Sequence, residues 1–262
     1  MKKEKKDQFI ALCADSLADA RWLLPFAQGL SVAFRKGIIL FTCGEDGDRW
    51  VDEVDCPHVV LRGEWADAVE AMPTAFNVVL ALVACNPHAP RQALANPKQL
   101  LKSFRQSKIA YLAVPSGLKE LRTDRVALTL DHQRESKEKL LWASYMARFC
   151  HSAIHVYHFP YTDADFRNRL NNNIRYLDKI FASLSIPYEQ HPLLRGSQYS
   201  HPDLGALALG ECDLFISLVA DSRDRDFLDA LLPSPPLRLL RSAGDIPILF
   251  LNQRDDLYIM CD

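Results

Sequence analysis

The sequence predicts an α/β protein made of two tandem doubly wound parallel-sheet units, residues 1–118 and 124–262. Three observations carry this. Short apolar runs alternate with amphipathic stretches along the 262 residues, the pattern of buried parallel strands covered by helices on both faces. Shifting the chain on itself by 116 residues lays Phe9–Cys43 over Arg125–Phe159 without a gap. Ala11 then meets Ala127, Leu12 meets Leu128, Asp15 meets Asp131, Leu24 meets Leu140 and Ile38 meets Ile154. Between the copies, the polar stretch Ser116–Asp124 reads as a linker.

In the second half, Val126–Leu130 is a short apolar run and predicts a buried strand. Glu135–Cys150 predicts a helix, with Leu140, Ala143, Ala147 and Cys150 on its apolar face and Glu135 and Lys139 on the exposed one. Ala153–Phe159 is the second strand. Asp163–Leu184 is a long helix whose stripe is Phe166, Leu170, Ile174, Leu177, Phe181 and Leu184, with Asn171, Asn172 and Asn173 on a solvated face. Pro187–Leu194 is the third strand, His201–Leu209 a short helix and Leu214–Val219 the fourth strand. Helical stretches at Arg225–Leu232 and Pro236–Ser242 precede a fifth strand, Ile246–Leu251.

The first half repeats this skeleton in shortened form. Its strands are Phe9–Ala14, Gly37–Thr42, Val59–Leu61, Val78–Val83 and Ile109–Val114. Gly44–Pro57 stands where the second half has its long helix, but it is acidic and carries Gly44 and Gly47, which argues against a full helix. PKQLLKSFRQSKIAYLAV (Pro97–Val114) matches PPLRLLRSAGDIPILFLN (Pro235–Asn252): proline, a short helix with Leu-Leu-basic-Ser, then an apolar strand. Trp22 and Trp142, inside the first helix of each copy, read as core. The right-handed crossover rule closes each set of strands into a doubly wound sheet.

Composition excludes several function classes. Lys plus Arg is 31 against 33 for Asp plus Glu, a net charge of −2, so there is no bulk attraction to nucleic acid or an anionic membrane. No run of about 18 apolar residues exists to span a bilayer. The basic start is followed by an apolar run too short and broken for a signal peptide. The seven cysteines are odd in number and form no C-x-x-C pair, which points to buried thiols in a reducing compartment, and the expected location is cytoplasmic.

The stretches IALCADSLADARWLLPFAQGL and ALTLDHQRESKEKLLWASYMARF each end a strand in Asp and continue into an Ala-containing helix. Together with LFISLVADSRDRDFLDALLPSPPLRLLRSAGDIPILFL they resemble the universal stress protein family over nearly the whole chain. The resemblance implies two adenine-nucleotide-hydrolase-like domains related by a pseudo-twofold axis, with Ile109–Val114 and Ile246–Leu251 brought together. In nucleotide-binding members the first-strand Asp lies by the adenine, and Gly-x2-Gly-x9-Gly-Ser/Thr after the fourth strand wraps the phosphates. Carried over, Asp15 and Asp131 match the adenine-side Asp of each unit, and Ser234 matches the Ser/Thr.

The glycines are missing. Ala220–Arg225 stands at the first glycine positions and Pro233 replaces the glycine before Ser234. Pro233, Pro235 and Pro236 carry no backbone N–H, and Asp221, Asp224 and Asp226 add negative charge. The corresponding stretch of the first half, Asn86–Lys98, has no glycine. Phosphates need close backbone approach and converging N–H groups, so neither unit is expected to offer a competent cradle. Arg223, Arg225 and Arg238 could hold an anion by side chains instead, or pair with the neighbouring aspartates.

Other chemistry is weaker. His155 and His158 fall on opposite faces of one strand, and His151 in the turn before it, so the three are not expected to share a metal. His132, beside Asp131, sits where open α/β sheets bind ligands and otherwise reads as a helix-entry residue. Cys13, Cys43 and Cys212 have no base partner in sequence and read as buried thiols, not nucleophiles.

The expected function is regulatory, stress-responsive binding of a protein partner without turnover, with no cofactor, metal, nucleic acid or membrane. A homodimer is compatible with the sequence, although no residue indicates one. The alternative is an adenine-nucleotide sensor or slow ATPase that keeps ATP or AMP at Asp131 and holds phosphates with arginines. An enzyme of the wider hydrolase-like superfamily ranks last, because the phosphate loop expected after the first strand is absent.

Overall fold

The structure, a computed structural model, describes residues 7–44, 47–193, 202–209, 211–219 and 233–252. The chain divides into two compact units, Met1–Glu120 and Leu121–Asp262.

Unit 1 runs β1 (Phe9–Cys13), α1 (Leu17–Phe34), β2 (Gly37–Cys43), two 3₁₀ turns (Gly47–Arg49 and Val51–Glu53), β3 (His58–Leu61), α2 (Trp65–Ala75), β4 (Val78–Cys85), α3 (Pro97–Ser103) and β5 (Ala110–Pro115). The sheet order is β3-β2-β1-β4-β5, all parallel. Central β1 and β4 are nearly all aliphatic and buried, as strands covered on both faces must be. Ser16 caps α1 by accepting the Asp19 N–H at 3.1 Å, while its hydroxyl donates to the Asp19 carboxylate at 2.8 Å. At Gly37 a Cβ would lie 2.6 Å from the Phe9 ring, so any larger residue would require that ring to shift.

Unit 2 runs β6 (Arg125–Leu130), a 3₁₀ turn (Arg134–Lys137), α4 (Glu138–Phe149), β7 (Ala153–His158), α5 (Ala164–Ser183), β8 (Tyr188–Pro192), α6 (Pro202–Leu209), β9 (Leu214–Val219), α7 (Pro235–Ser242) and β10 (Ile248–Asn252). Its order is β8-β7-β6-β9-β10, again parallel, the same path as unit 1. The expected helix at Arg225–Leu232 lies outside the described residues. Gly47–Arg49 and Val51–Glu53 are 3₁₀ turns where unit 2 has α5, in line with the expectation that no full helix forms there.

Several expectations are corrected. The sequence pattern gives no helix where unit 1 has α2, because the stretch is short and interrupted by Pro73, yet Trp65, Ala68, Val69 and Met72 form a buried stripe that carries it. Helix α4 does not start at Glu135 but follows a separate 3₁₀ turn. Lys139, expected on the exposed face, is only 2% exposed. Its ammonium donates to Thr129 Oγ1 at 3.1 Å. Thr129 also bonds the buried Asp203 carboxylate, which accepts from Ser217 at 2.5 Å. The network satisfies polar groups that burial would otherwise penalise, and it unites β6, α4, α6 and β9. Asn173, expected on a solvated face of α5, is 3% exposed.

Candidate functional site

In a doubly wound sheet, ligands bind beyond the carboxyl ends of the strands, where the order reverses around the first strand. Asp15 follows β1 and Asp131 follows β6 at these points. The two aspartates have different surroundings.

Both carboxylate oxygens of Asp15 are occupied. Oδ1 accepts the Trp65 indole N–H at 2.6 Å, and Oδ2 accepts the Leu94 backbone N–H at 2.5 Å. Trp65 is 5% and Leu94 1% exposed. Leu94 belongs to the segment that stands in place of the glycine loop, and that segment turns its donors inward. Asn86 N–H donates to Ala95 O at 2.7 Å, Ala93 N–H to Pro90 O at 3.0 Å, and the Asn96 side-chain amide to Ala89 O at 3.0 Å. The next helix, α3, begins with Pro97, and Asn96 takes the Lys98 N–H at 3.0 Å. Of the first amides at this helix start, Pro97 has none and that of Lys98 is already bonded, which leaves a phosphate few donors.

Asp131 is freer. Its Oδ1 accepts the Gln133 N–H at 2.8 Å in a local turn, and its own N–H reaches Ser136 Oγ at 3.3 Å. Asn173 of α5 holds the turn from outside, donating to the carbonyls of Asp131 and Gln133 at 2.8 and 2.9 Å. Sequence reasoning missed Asn173, because a polar side chain in a run of three asparagines gives no periodic signal of burial. His132 stacks on Phe166 at 4.2 Å between ring centroids and meets the edge of Tyr161 at 5.0 Å. His132 Nδ1 is buried without a hydrogen-bond partner. Burial, then the Asp131 charge, pushes the Tyr161 hydroxyl up to about 12. Nothing in the sequence points Tyr161 or Phe166 to this site, because the loop after β7 has no motif.

Ser234 is the N-cap of α7, with no side-chain capping bond, and Pro235 and Pro236 fill the first two helical positions. Of the first three helical residues only Leu237 carries an N–H. Arg238 lies half-buried in the same helix, its N–H bonded to Ser234 O at 3.0 Å. Arg223, Arg225 and the aspartates Asp221, Asp224 and Asp226 lie outside the described residues.

The thiols read as buried are raised in pKa by burial: Cys13 well above its ordinary value, Cys43 and Cys85 to about 12, Cys212 to about 11. A thiolate is therefore disfavoured at each, against nucleophilic use. Of the histidines, His155 turns towards β8, while burial lowers the pKa of His158.

No protein-family model and no curated protein matches the chain by sequence. Solved structures do match in fold. A universal stress protein from Archaeoglobus fulgidus DSM 4304 superposes with a TM-score of 0.61 at 14% identity, covering 95% of this chain and 97% of that one. A functionally unknown protein from Pseudomonas aeruginosa PAO1 gives 0.60 at 14% identity, covering 96% and 94%. The chain has the universal stress protein fold over nearly its full length, as the resemblance implied. Among the described residues, no helix is long and apolar enough to cross a membrane.

Proposed function

We propose that this chain is a universal-stress-type regulatory protein that acts by binding a protein partner, without turnover, and that its phosphate loops no longer grip a nucleotide. The observation that carries the reading is the Asp15 carboxylate, which accepts both the Trp65 indole and the Leu94 amide. The residues that would bracket an adenine and its phosphates in unit 1 are bonded to one another. In unit 2 the helix that would receive the phosphates opens with two prolines, which supports the same reading.

A second reading has its own support. The Asp131 carboxylate, engaged only by its local turn among the described residues, stands beside His132, Tyr161 and Phe166, rings that can stack on a base. Unit 2 would then be an adenine-nucleotide sensor or slow ATPase, with Arg238 and Arg223 replacing the missing amides.

Calorimetry of the full chain with ATP and with AMP separates the two. The first reading expects no saturable heat up to millimolar nucleotide. Micromolar binding that disappears in Asp131→Ala would overturn it and establish the second.

A further inference from the structure

Strands β7 and β8 are parallel neighbours with His155 opposite Glu189 and Tyr157 opposite His191. Alternation along each strand puts Glu189 and His191 on one face, and the register puts His155 on that face too. Their side chains converge. His155 Nδ1 lies 3.0 Å from His191 Nε2, and Glu189 Oε2 lies 3.7 Å from each of those nitrogens. The site is accessible: the two imidazoles are partly buried, with 19% and 35% of their side-chain surface exposed, and Glu189 is 69% exposed.

We propose that His155, Glu189 and His191 form a divalent-cation site, with Zn²⁺ as its natural occupant. The geometry carries this. The point equidistant from the three donor atoms, given sides of 3.0, 3.7 and 3.7 Å, lies about 2.0 Å from each. Zinc binds imidazole nitrogen and carboxylate oxygen at about 2.0–2.2 Å. One cation placed there lies at bonding distance from all three donor atoms, with the two rings turning from each other towards it.

The donor set fits the metal as well as the distances do. Two imidazoles and one carboxylate suit zinc and its late first-row neighbours, and not magnesium or calcium, which prefer oxygen. Three protein ligands from two strands leave coordination positions open to water or to a ligand from a partner. Tyr157 stacks on His191 at 4.8 Å and fixes that ring's plane. Arg125, the cation whose charge reaches His155, is itself held by Glu211 at 2.8 Å and by Asp213 at 3.9 Å, which lowers its repulsion of a bound ion. The site joins edge strand β8 to β7, so occupancy would pin the edge of the unit 2 sheet. It is independent of Asp131 and of any nucleotide.

Sequence alone does not reach this arrangement. In sequence the neighbours of His155 are His151 and His158, whereas its partner His191 is 36 positions away and meets it only through strand register.

The test uses the full chain, stripped by a chelator and kept reduced by a phosphine, titrated with Co²⁺ as the spectroscopic probe and then with Zn²⁺. The expected result is one Co²⁺ per chain with visible d–d absorption, no thiolate-to-cobalt charge-transfer band, and displacement by Zn²⁺. Affinity should fall by about tenfold or more in Glu189→Gln and in His191→Ala. Glu189 is exposed, so its variant should fold, and circular dichroism of each metal-free variant checks this. Three outcomes would overturn the proposal: no stoichiometric binding, a thiolate band that places the metal on cysteine, or unchanged affinity in Glu189→Gln. In each case the two imidazoles simply share an N–H···N hydrogen bond.

Discussion

Asp15 and Asp131 occupy equivalent positions in the repeat, yet their side chains do different work. Replacing Asp15 by Ala strips the acceptor from the Trp65 indole and the Leu94 amide, donors on buried residues. Asp15 is itself exposed, so water can reach the donors it leaves. The loss is that of two hydrogen bonds to a charged acceptor, not of two dry orphans, so Asp15→Ala should lower the unfolding free energy by about 1–3 kcal/mol. Asp131→Ala removes only a turn bond from Gln133 and should cost about 1 kcal/mol or less. Urea unfolding of both variants, compared at equal slope, reads the difference. Equal losses would mean that the Asp15 contacts are not what hold the replaced loop in place. The same scale shows what the sequence concealed. Lys139 and Asn173 are polar, and periodicity assigns polar residues to solvent, yet each is buried because a specific acceptor waits for it: Thr129 for Lys139, and the Asp131 and Gln133 carbonyls for Asn173. Pairings of this kind depend on residues distant in the chain, so no local pattern announces them.

At the scale of elements, the helix-to-strand turns repeat as the strands do. Arg35 ends α1 with φ 55°, and His151, 116 positions later, follows α4 with φ 59°. Both lie in the left-handed region, which costs a residue with a Cβ roughly 1–2 kcal/mol and glycine nothing steric. Both side chains are exposed. Arg35→Gly and His151→Gly should therefore each raise stability, by about 0.5–1 kcal/mol once the extra freedom of glycine in the unfolded chain is subtracted. A shift of the denaturation midpoint to higher urea at constant slope is the expected readout, and a shift to lower urea would show that the side chains stabilise these turns. Elements were legible where apolar periodicity is strong. Strand Leu214–Val219 matches the reading residue for residue, and α5 carries its expected stripe through Leu170, Leu177 and Phe181. They were illegible where a helix breaker interrupts the pattern, as Pro73 does in α2. The candidate site was legible as far as Asp15, Asp131 and Ser234, because they sit at the ends of readable elements. Trp65, Leu94, Tyr161 and His191 reach their sites only through the fold.

At the scale of the whole molecule, the cysteines connect composition to stability. Cys13, Cys43 and Cys85 end β1, β2 and β4, neighbours in one sheet. Burial is the largest cause raising each of their pKa values, and Cys85 moves from an ordinary 9.0 to about 12. A group whose folded pKa exceeds its unfolded one holds its proton longer in the native state, so its contribution is complete below the unfolded value and is lost as pH rises towards the folded value. For Cys85 that window runs from about 9 to about 12. Between pH 9 and pH 10 the buried thiol alone should remove roughly 1 kcal/mol of stability. Cys43, half-exposed, contributes in the same direction but is screened by water. Urea unfolding of the reduced protein at these two pH values should show the fall, and Cys85→Ala, less stable at pH 8, should show a smaller further loss on going to pH 10. A slope unchanged by Cys85→Ala would mean that other groups carry the alkaline transition and that this thiol ionises in the native fold as readily as in the unfolded chain.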